Sequence, residues 1–204
     1  MVVNVYPDNP NLLEIQKAVS ILKGGGIIIF PTDTVYAIGC DMYNFKAMEK
    51  LCRALSLKPE KANLSLICYD LSYISQFTQQ FDTPVFKLMK RSLPGPFTFI
   101  LKANNQIPKI FHSNKKTIGI RVPDSNIARL LVKELGNPLV SKSVHSEDEV
   151  LDYITDPHEI IEHWEAKVDL IIDGGFGDNN PSTIIDCSND EPVLVRAGKG
   201  EISL

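Results

Sequence analysis

Thr32, Asp33, Thr34 and Tyr36 fall within six residues of the apolar run Ile27–Phe30, set apart from it by Pro31. Three hydroxyls and one carboxylate at the end of a buried strand can take up a small molecule by hydrogen bonding, because helices cover the faces of an open α/β sheet and leave the crevice at its strand ends open. The alternative is a turn that the Thr and Asp side chains merely cap. Two more sets alternate along extended stretches: Thr117, Gly119 and Arg121 put a hydroxyl and a cation on one surface, and Ser141, Ser143 and His145 point the same way as one another. Ser143 and His145 make a poor nucleophile and base, since alternate neighbours on one strand rarely reach hydrogen-bond geometry and no Gly-x-Ser-x-Gly elbow is present. His158 and His163 are five apart on an expected helix, off the spacing that puts two metal ligands on one face, and read as solvent-exposed. Neither Gly-x-x-x-x-Gly-Lys-[Ser/Thr] nor Gly-x-Gly-x-x-Gly occurs, so a nucleotide would be held by other means.

The elements that position these groups follow from spacing. Leu12, Ile15, Val19 and Leu22 mark a helix over residues 11–23, with Asn9-Pro10 as cap and first helical residue and Gly24-Gly25-Gly26 as its stop. After the buried strand 27–30 and its loop, Asn44 caps a helix over 45–55 with Met48, Leu51 and Leu55 inward. A polar basic loop, Ser56–Asn63, in a position that often holds substrate, leads into a strand over 64–68. Asp82-Thr83-Pro84 opens a helix with Val85, Phe86 and Met89 inward and Lys87, Lys90 and Arg91 outward, ended by Pro94-Gly95-Pro96. Strands are expected over 97–102, 117–121 and 138–143, with a helix through Ile127, Leu130 and Leu131 that Gly136 terminates. An acidic surface loop over 146–156 precedes a helix bearing Ile160, Ile161 and Trp164, and three strands follow over 168–173, 183–186 and 193–196. No repeat, low-complexity tract or linker divides residues 1–204. The reading is therefore one α/β domain, and because strands and helices do not alternate strictly, its twisted sheet is expected to be mixed, with flanking helices.

Charge is unevenly spread. Between Lys50 and Arg121 there are twelve basic and three acidic side chains, although the chain as a whole carries a formal charge of -4. That segment is expected to bind anions, the phosphates of a nucleotide or of a nucleic-acid backbone, unless its lysines are simply solvated over several faces. No apolar run reaches about 18 residues and the N-terminus lacks a basic-then-apolar order, which implies a cytoplasmic protein with no membrane role. Cys40, Cys52, Cys68 and Cys187 are scattered singly in apolar segments, as reduced buried thiols are, and no metal-ligand spacing accompanies them.

Five blocks in order carry a resemblance: Phe30 to Gly39, Pro94 to Thr98, Thr117 to Pro123, Val168 to Gly175 and Pro181 to Asp186. Together they resemble the YrdC-like, threonylcarbamoyl-AMP synthase family over nearly the whole chain. The resemblance implies a YrdC-like twisted sheet with a basic concave cleft, and an enzyme that joins L-threonine, bicarbonate and ATP into threonylcarbamoyl-adenylate, releasing pyrophosphate, for modification of tRNA at adenosine 37. By matching motif it implies that Thr32, Arg121, Ser141 and Ser182 bind threonine and that Lys58, Asn63, Thr117, Ser143 and Arg196 face ATP. It implies Mg²⁺ accompanying the nucleotide, without a protein-only metal site.

Three places depart from the family pattern. Ser56-Leu57-Lys58 stands where the synthases carry Lys-x-Arg, replacing a bidentate phosphate clamp by a point charge. Ser143-Val144-His145 stands for Ser-x-Asn, and Tyr36-Ala37-Ile38 for Tyr-Gly-Leu. These departures resemble the YciO-like branch of the family. Two other readings stay open: a module that holds an RNA duplex or a tRNA stem in the same cleft without catalysis, and a related acyl-adenylate chemistry.

Overall fold

The turn after the first helix is where the chain commits to its sheet. In the computed structural model, which describes residues 1–58, 62–108, 116–145, 153–189 and 191–201, α1 (Leu12–Lys23) ends at Gly24 and β2 (Ile28–Phe30) begins four residues later. The helix is capped two residues later than expected, at Asn11 rather than Asn9. The Asn11 side chain accepts the Leu13 N–H, so Asn9-Pro10 lies outside, Leu12 is exposed, and Ala18 joins Ile15, Val19 and Leu22 on the buried stripe. Ahead of it runs β1 (Val2–Asn4), too short for periodicity to reveal.

β2 is followed by β3 (Ala37–Asp41), an antiparallel neighbour where the sequence predicts only a loop. The chain then forms α2 (Phe45–Ala54), β4 (Ser65–Ile67), α3 (Leu71–Phe77), α4 (Thr83–Ser92), β5 (Phe97–Lys102), β6 (Thr117–Arg121) and α5 (Asn126–Leu135). After these come β7 (Leu139–Ser143), α6 (Pro157–Trp164), β8 (Leu170–Asp173), β9 (Thr183–Asp186) and β10 (Val193–Arg196). α3, seven residues long, escapes the periodicity argument. On α4 Leu88 is buried and Phe86 exposed, the reverse of the expected place for Phe86. Of the expected acidic loop, Tyr153 and Ile154 are buried, and 146–152 lie outside the described residues. α5 closes as expected: Gly136 takes φ 87°, a left-handed conformation that costs glycine nothing sterically.

The strands form one sheet in the order β1-β8-β2-β3-β7-β4-β6-β5-β9-β10. β1·β8, β2·β8, β4·β6 and β5·β9 are parallel and the other pairs antiparallel, so the sheet is mixed. Helices α2, α3, α4 and α6 bury one face around Met48, Leu51, Ile74, Leu88, Met89 and Trp164. Helices α1 and α5 cover only part of the other, over Phe30, Ala37, Ile67, Leu139 and Leu170.

That partial cover makes the cleft. On β7 the residues facing α1 and α5 change from Leu139 to Ser141 and Ser143, and on β4 from Ile67 to Ser65. Strand register sets Gly39, Ser141, Ser65 and Gly119 side by side across four strands. Nothing in that row is larger than a hydroxymethyl group, so it forms a trough. Close approach requires glycine at 39, where a Cβ would stand 2.5 Å from the Val140 carbonyl oxygen; at Gly119 a Cβ would stand 2.6 Å from Ser65 Oγ, so the hydroxyl would have to turn away. The four cysteines are buried thiols as expected, and burial pushes Cys40 and Cys68 well above the ordinary thiol range.

Candidate functional site

A cavity of about 220 Å³ sits on the trough. Its wall brings together Asn63 from the loop before β4, Arg121 from β6, Ser141 and Ser143 from β7, Ser182 at the start of β9 and Arg196 from β10, six of the nine residues singled out by sequence. Thr32 lines a larger neighbouring cavity of about 790 Å³. Thr117 is half-buried on the cleft face of β6, paired with Lys102, beyond the wall of the smaller cavity. Lys58 is exposed and stands outside that wall.

Arg121 separates the two cavities. It stands in the same row of the register as Leu139 and Ile67, at the margin of the apolar layer, which is why its guanidinium is buried although the trough beside it is polar. Its Nη2 donates to Asp33 Oδ1 and to Thr34 Oγ1, each at 2.9 Å. Thr32 Oγ1 donates to the Val35 carbonyl at 2.8 Å and meets Thr34 Oγ1 at 3.1 Å, so one chain of hydroxyls joins Thr32 to Arg121. Asp33 Oδ2 also accepts the Asp124 N–H at 3.1 Å, and Lys199 donates to the Asp33 carbonyl at 2.7 Å while pairing with Asp178. Burial lowers the Arg121 pKa and Arg196 lowers it further, against the opposing pull of Asp33. Its Nε is buried without a hydrogen-bond partner among the described residues.

The rest of the wall is tied to itself. Arg196 donates through Nη2 to the Ser182 carbonyl at 2.7 Å, Ser182 Oγ meets Thr98 Oγ1 at 2.8 Å, and Ser141 Oγ reaches toward the Ser65 carbonyl at 3.4 Å. Lys142 and His145 also line it, and no carboxylate among the described residues does. Sequence reasoning picks out His145 but passes over Lys142, because alternation assigns Lys142 to the opposite side of β7 from the serines. Its only signal is its position between them.

Two expectations need correction. Tyr36 does not present its hydroxyl to either cavity; it is fully buried, donating to the Gly175 carbonyl at 2.6 Å and accepting the Gly174 N–H at 3.1 Å, and burial pushes its phenol up to about 12. It pins the β8 end to the Thr32 loop. Tyr36→Phe strands both backbone groups and is expected to lower unfolding free energy by about 1–3 kcal/mol in urea denaturation; an unchanged midpoint would refute this bridging role. The second correction concerns charge. Of the described basic residues from Lys50 to Arg121, Arg121 alone lines the smaller cavity; Lys50 pairs with Asp169, and Lys87, Lys90 and Arg91 are exposed on α4, over the opposite face. The cleft is basic chiefly through Arg121, Lys142 and Arg196. Among the described residues no group of three or more His, Cys, Asp or Glu could hold a metal ion, and no helix is long and apolar enough to cross a membrane.

Residues 20–198 match the model of the Sua5, YciO and YrdC proteins, whose description reads telomere recombination. The chain belongs to the Sua5/YciO/YrdC family. Within this family it is 42% identical to the uncharacterized protein YciO of Escherichia coli K12 over 199 residues, 97% of this chain and 95% of that one. The crystal structure of E. coli YciO superposes with a TM-score of 0.91 at 40% identity, covering 98% and 97% of the two chains. It is 30% identical to the threonylcarbamoyl-AMP synthase of Coxiella burnetii over 171 residues, 84% of this chain and 90% of that one. The structure of P. abyssi Sua5 complexed with L-threonine matches with a TM-score of 0.88 at 25% identity, over 97% of this chain and 57% of Sua5. The Sua5/YciO/YrdC fold is thus the one the resemblance implied, with YciO as a near relative.

Proposed function

We propose that this chain is a threonylcarbamoyl-AMP synthase-like nucleotidyltransferase acting in tRNA adenosine-37 modification, with threonine at Arg121 and ATP along the Ser143 and Arg196 side of the trough. The observation that carries the reading is the unpaired N–H of Arg121, a buried cation with one acceptor missing at the wall of a cavity shaped by small residues. A ligand carboxylate supplies that acceptor, and Ser141 and Ser182 stand beside it as hydroxyl partners. The P. abyssi Sua5 complex with L-threonine and the C. burnetii synthase support threonine as the ligand and the synthase class of the reaction.

In this reaction the threonine amine and bicarbonate give a carbamate with loss of water. A carbamate oxygen then attacks the α-phosphorus of ATP, the bond to the β-phosphate breaks, and pyrophosphate leaves. Mg²⁺ entering with the nucleotide would offset charge on the phosphates. The chain's own part is positioning and charge: Arg121 orients the carboxylate, its burial strengthens that interaction, and Arg196 and Ser143 face the nucleotide.

Calorimetric titration of threonine and ATP, separately and together, with pyrophosphate release measured in the presence of bicarbonate and Mg²⁺, tests the reading. Mutual enhancement of binding with pyrophosphate above background is expected. Binding of neither ligand, together with binding of an RNA duplex that weakens steeply with salt, would replace it by the non-catalytic RNA module.

A further inference from the structure

The block from Pro94 to Thr98 carries a polar group, the Thr98 hydroxyl, that the proposed reaction leaves without a task. On β5 the side chains of Phe97, Phe99 and Leu101 enter the helix-covered core, so Thr98 stands on the cleft face. It lines the smaller cavity and is nevertheless only 5% exposed. Two neighbours fix how it stands. A Cβ on Gly119 would lie 3.3 Å from Thr98 Cγ2, so the missing side chain of Gly119 leaves room for the Thr98 methyl group. With the methyl placed there, and with the stiff χ1 of a β-branched residue, the hydroxyl is turned to Ser182 Oγ, 2.8 Å away. Ser182 is held from another side by Arg196, whose Nη2 donates to the Ser182 carbonyl at 2.7 Å and reaches Oγ at 3.4 Å.

Two hydroxyls hold two hydrogens, and the contact between them uses one. With Arg196 as a donor to one acceptor site of Ser182 Oγ and Thr98 as a donor to the other, the Ser182 hydrogen is left over. The reverse order would leave the Thr98 hydrogen buried with no other acceptor among the described residues, which is costly. Ser182 lines the cavity, and Arg121 Nε, also without a partner among the described residues, belongs to the same wall. Two unmet donors, from β6 and from the residue that precedes β9, suit a carboxylate, whose oxygens only accept.

We propose that Thr98 is a positioning residue of the cleft: its hydroxyl holds the Ser182 hydroxyl as a donor toward an acidic oxygen of the ligand. That the oxygen belongs to the threonine carboxylate rests on the function proposed above. Three stretches far apart in the chain, around Thr98, Gly119 and Ser182, thereby serve one hydrogen bond. Gly119 admits the methyl group, the methyl group aims the Thr98 hydroxyl, and the Thr98 hydroxyl aims that of Ser182.

Threonine and inorganic phosphate are titrated into the wild type and into Thr98→Val, Thr98→Ser, Ser182→Ala and the double variant Thr98→Val/Ser182→Ala, each first shown by urea denaturation to be folded. Thr98→Val keeps the shape and loses the hydroxyl; it is expected to weaken threonine about fivefold or more, whereas Thr98→Ser, which keeps the hydroxyl, stays within about threefold of the wild type. The double variant is expected to match Ser182→Ala within about twofold, because a residue that acts through Ser182 then has nothing left to act on. Equal threonine affinity in Thr98→Val and the wild type would overturn the assignment. So would a loss in Thr98→Ser as large as in Thr98→Val, or losses that multiply in the double variant, since a packing role produces both. If Thr98→Val does not fold, Thr98→Ala makes the same comparison. Should the wild type bind phosphate but not threonine, with the same pattern among the variants, the result would count against threonine as the ligand alone; binding of neither would overturn the role of Thr98 as well.

Discussion

Asp33→Ala will lower the free energy of unfolding by about 3–5 kcal/mol in urea denaturation, because it leaves the Arg121 guanidinium buried without its counter-charge. The two side chains are 8% and 7% exposed, and their contact is a 2.9 Å charge-assisted hydrogen bond. Water cannot take over the role of the lost carboxylate at that depth, and Arg196 adds repulsion where Asp33 had offset it. The Asp124 N–H loses its acceptor as well. An exposed ion pair such as Lys17–Glu14 contributes about 0–1 kcal/mol at most, so the contrast between sites is itself measurable. The double variant Asp33→Ala/Arg121→Met is expected to lose less than the sum of the single losses, since removing both charges removes the uncompensated one. A loss under about 1 kcal/mol for Asp33→Ala would show that the pair is screened and that Arg121 does not depend on it.

Arg121→Lys will weaken threonine about 10- to 150-fold while leaving ATP within about threefold, read by titration calorimetry. On the proposed function the guanidinium has two tasks: Nη2 is committed to Asp33 and Thr34, while Nε, without a partner among the described residues, is the N–H with bonding capacity to spare. An ammonium is a single point and cannot reach both sides of the wall. With Asp33 fixed in place, the substituted lysine pairs with it and abandons the cavity, so the expected loss is that of one charged hydrogen bond, about 1.5–3 kcal/mol. Folding is retained because the buried carboxylate still has a cation. Equal threonine affinity in the Arg121→Lys variant and the wild type would separate Arg121 from the ligand and leave it a structural role only.

Much of this was legible one strand at a time. Thr117, Gly119 and Arg121 do share the cleft face of β6 while Ile118 and Ile120 enter the core, and Ser141, Ser143 and His145 do line one cavity, as the period of two requires. β5, β6, β9 and β10 fall on the residues where alternation puts them. The failures share a cause. β1, β3 and α3 are short or run directly on from a loop, so periodicity has too few turns to register. Tyr36 reads as a ligand group from its polar tip, but its environment, set by the β8 end 138 residues later, makes it a buried bridge.

By itself the sequence determined the faces of strands, the stops of helices and, through five ordered blocks, the family. It could not determine which half of a sheet face would be left uncovered, since that depends on where α1 and α5 come to rest. Nor could it reveal that register sets Gly39, Ser141, Ser65 and Gly119 in one row, or that Arg121 lies at the boundary between an apolar layer and a polar trough. The cations of the cleft show the division most clearly. Counting charges along the chain points to the middle segment, yet Lys142 and Arg196 come from beyond it and several middle lysines sit on the far side of the sheet. Charge acts through distance in space, and only the tertiary fold decides which charges are near.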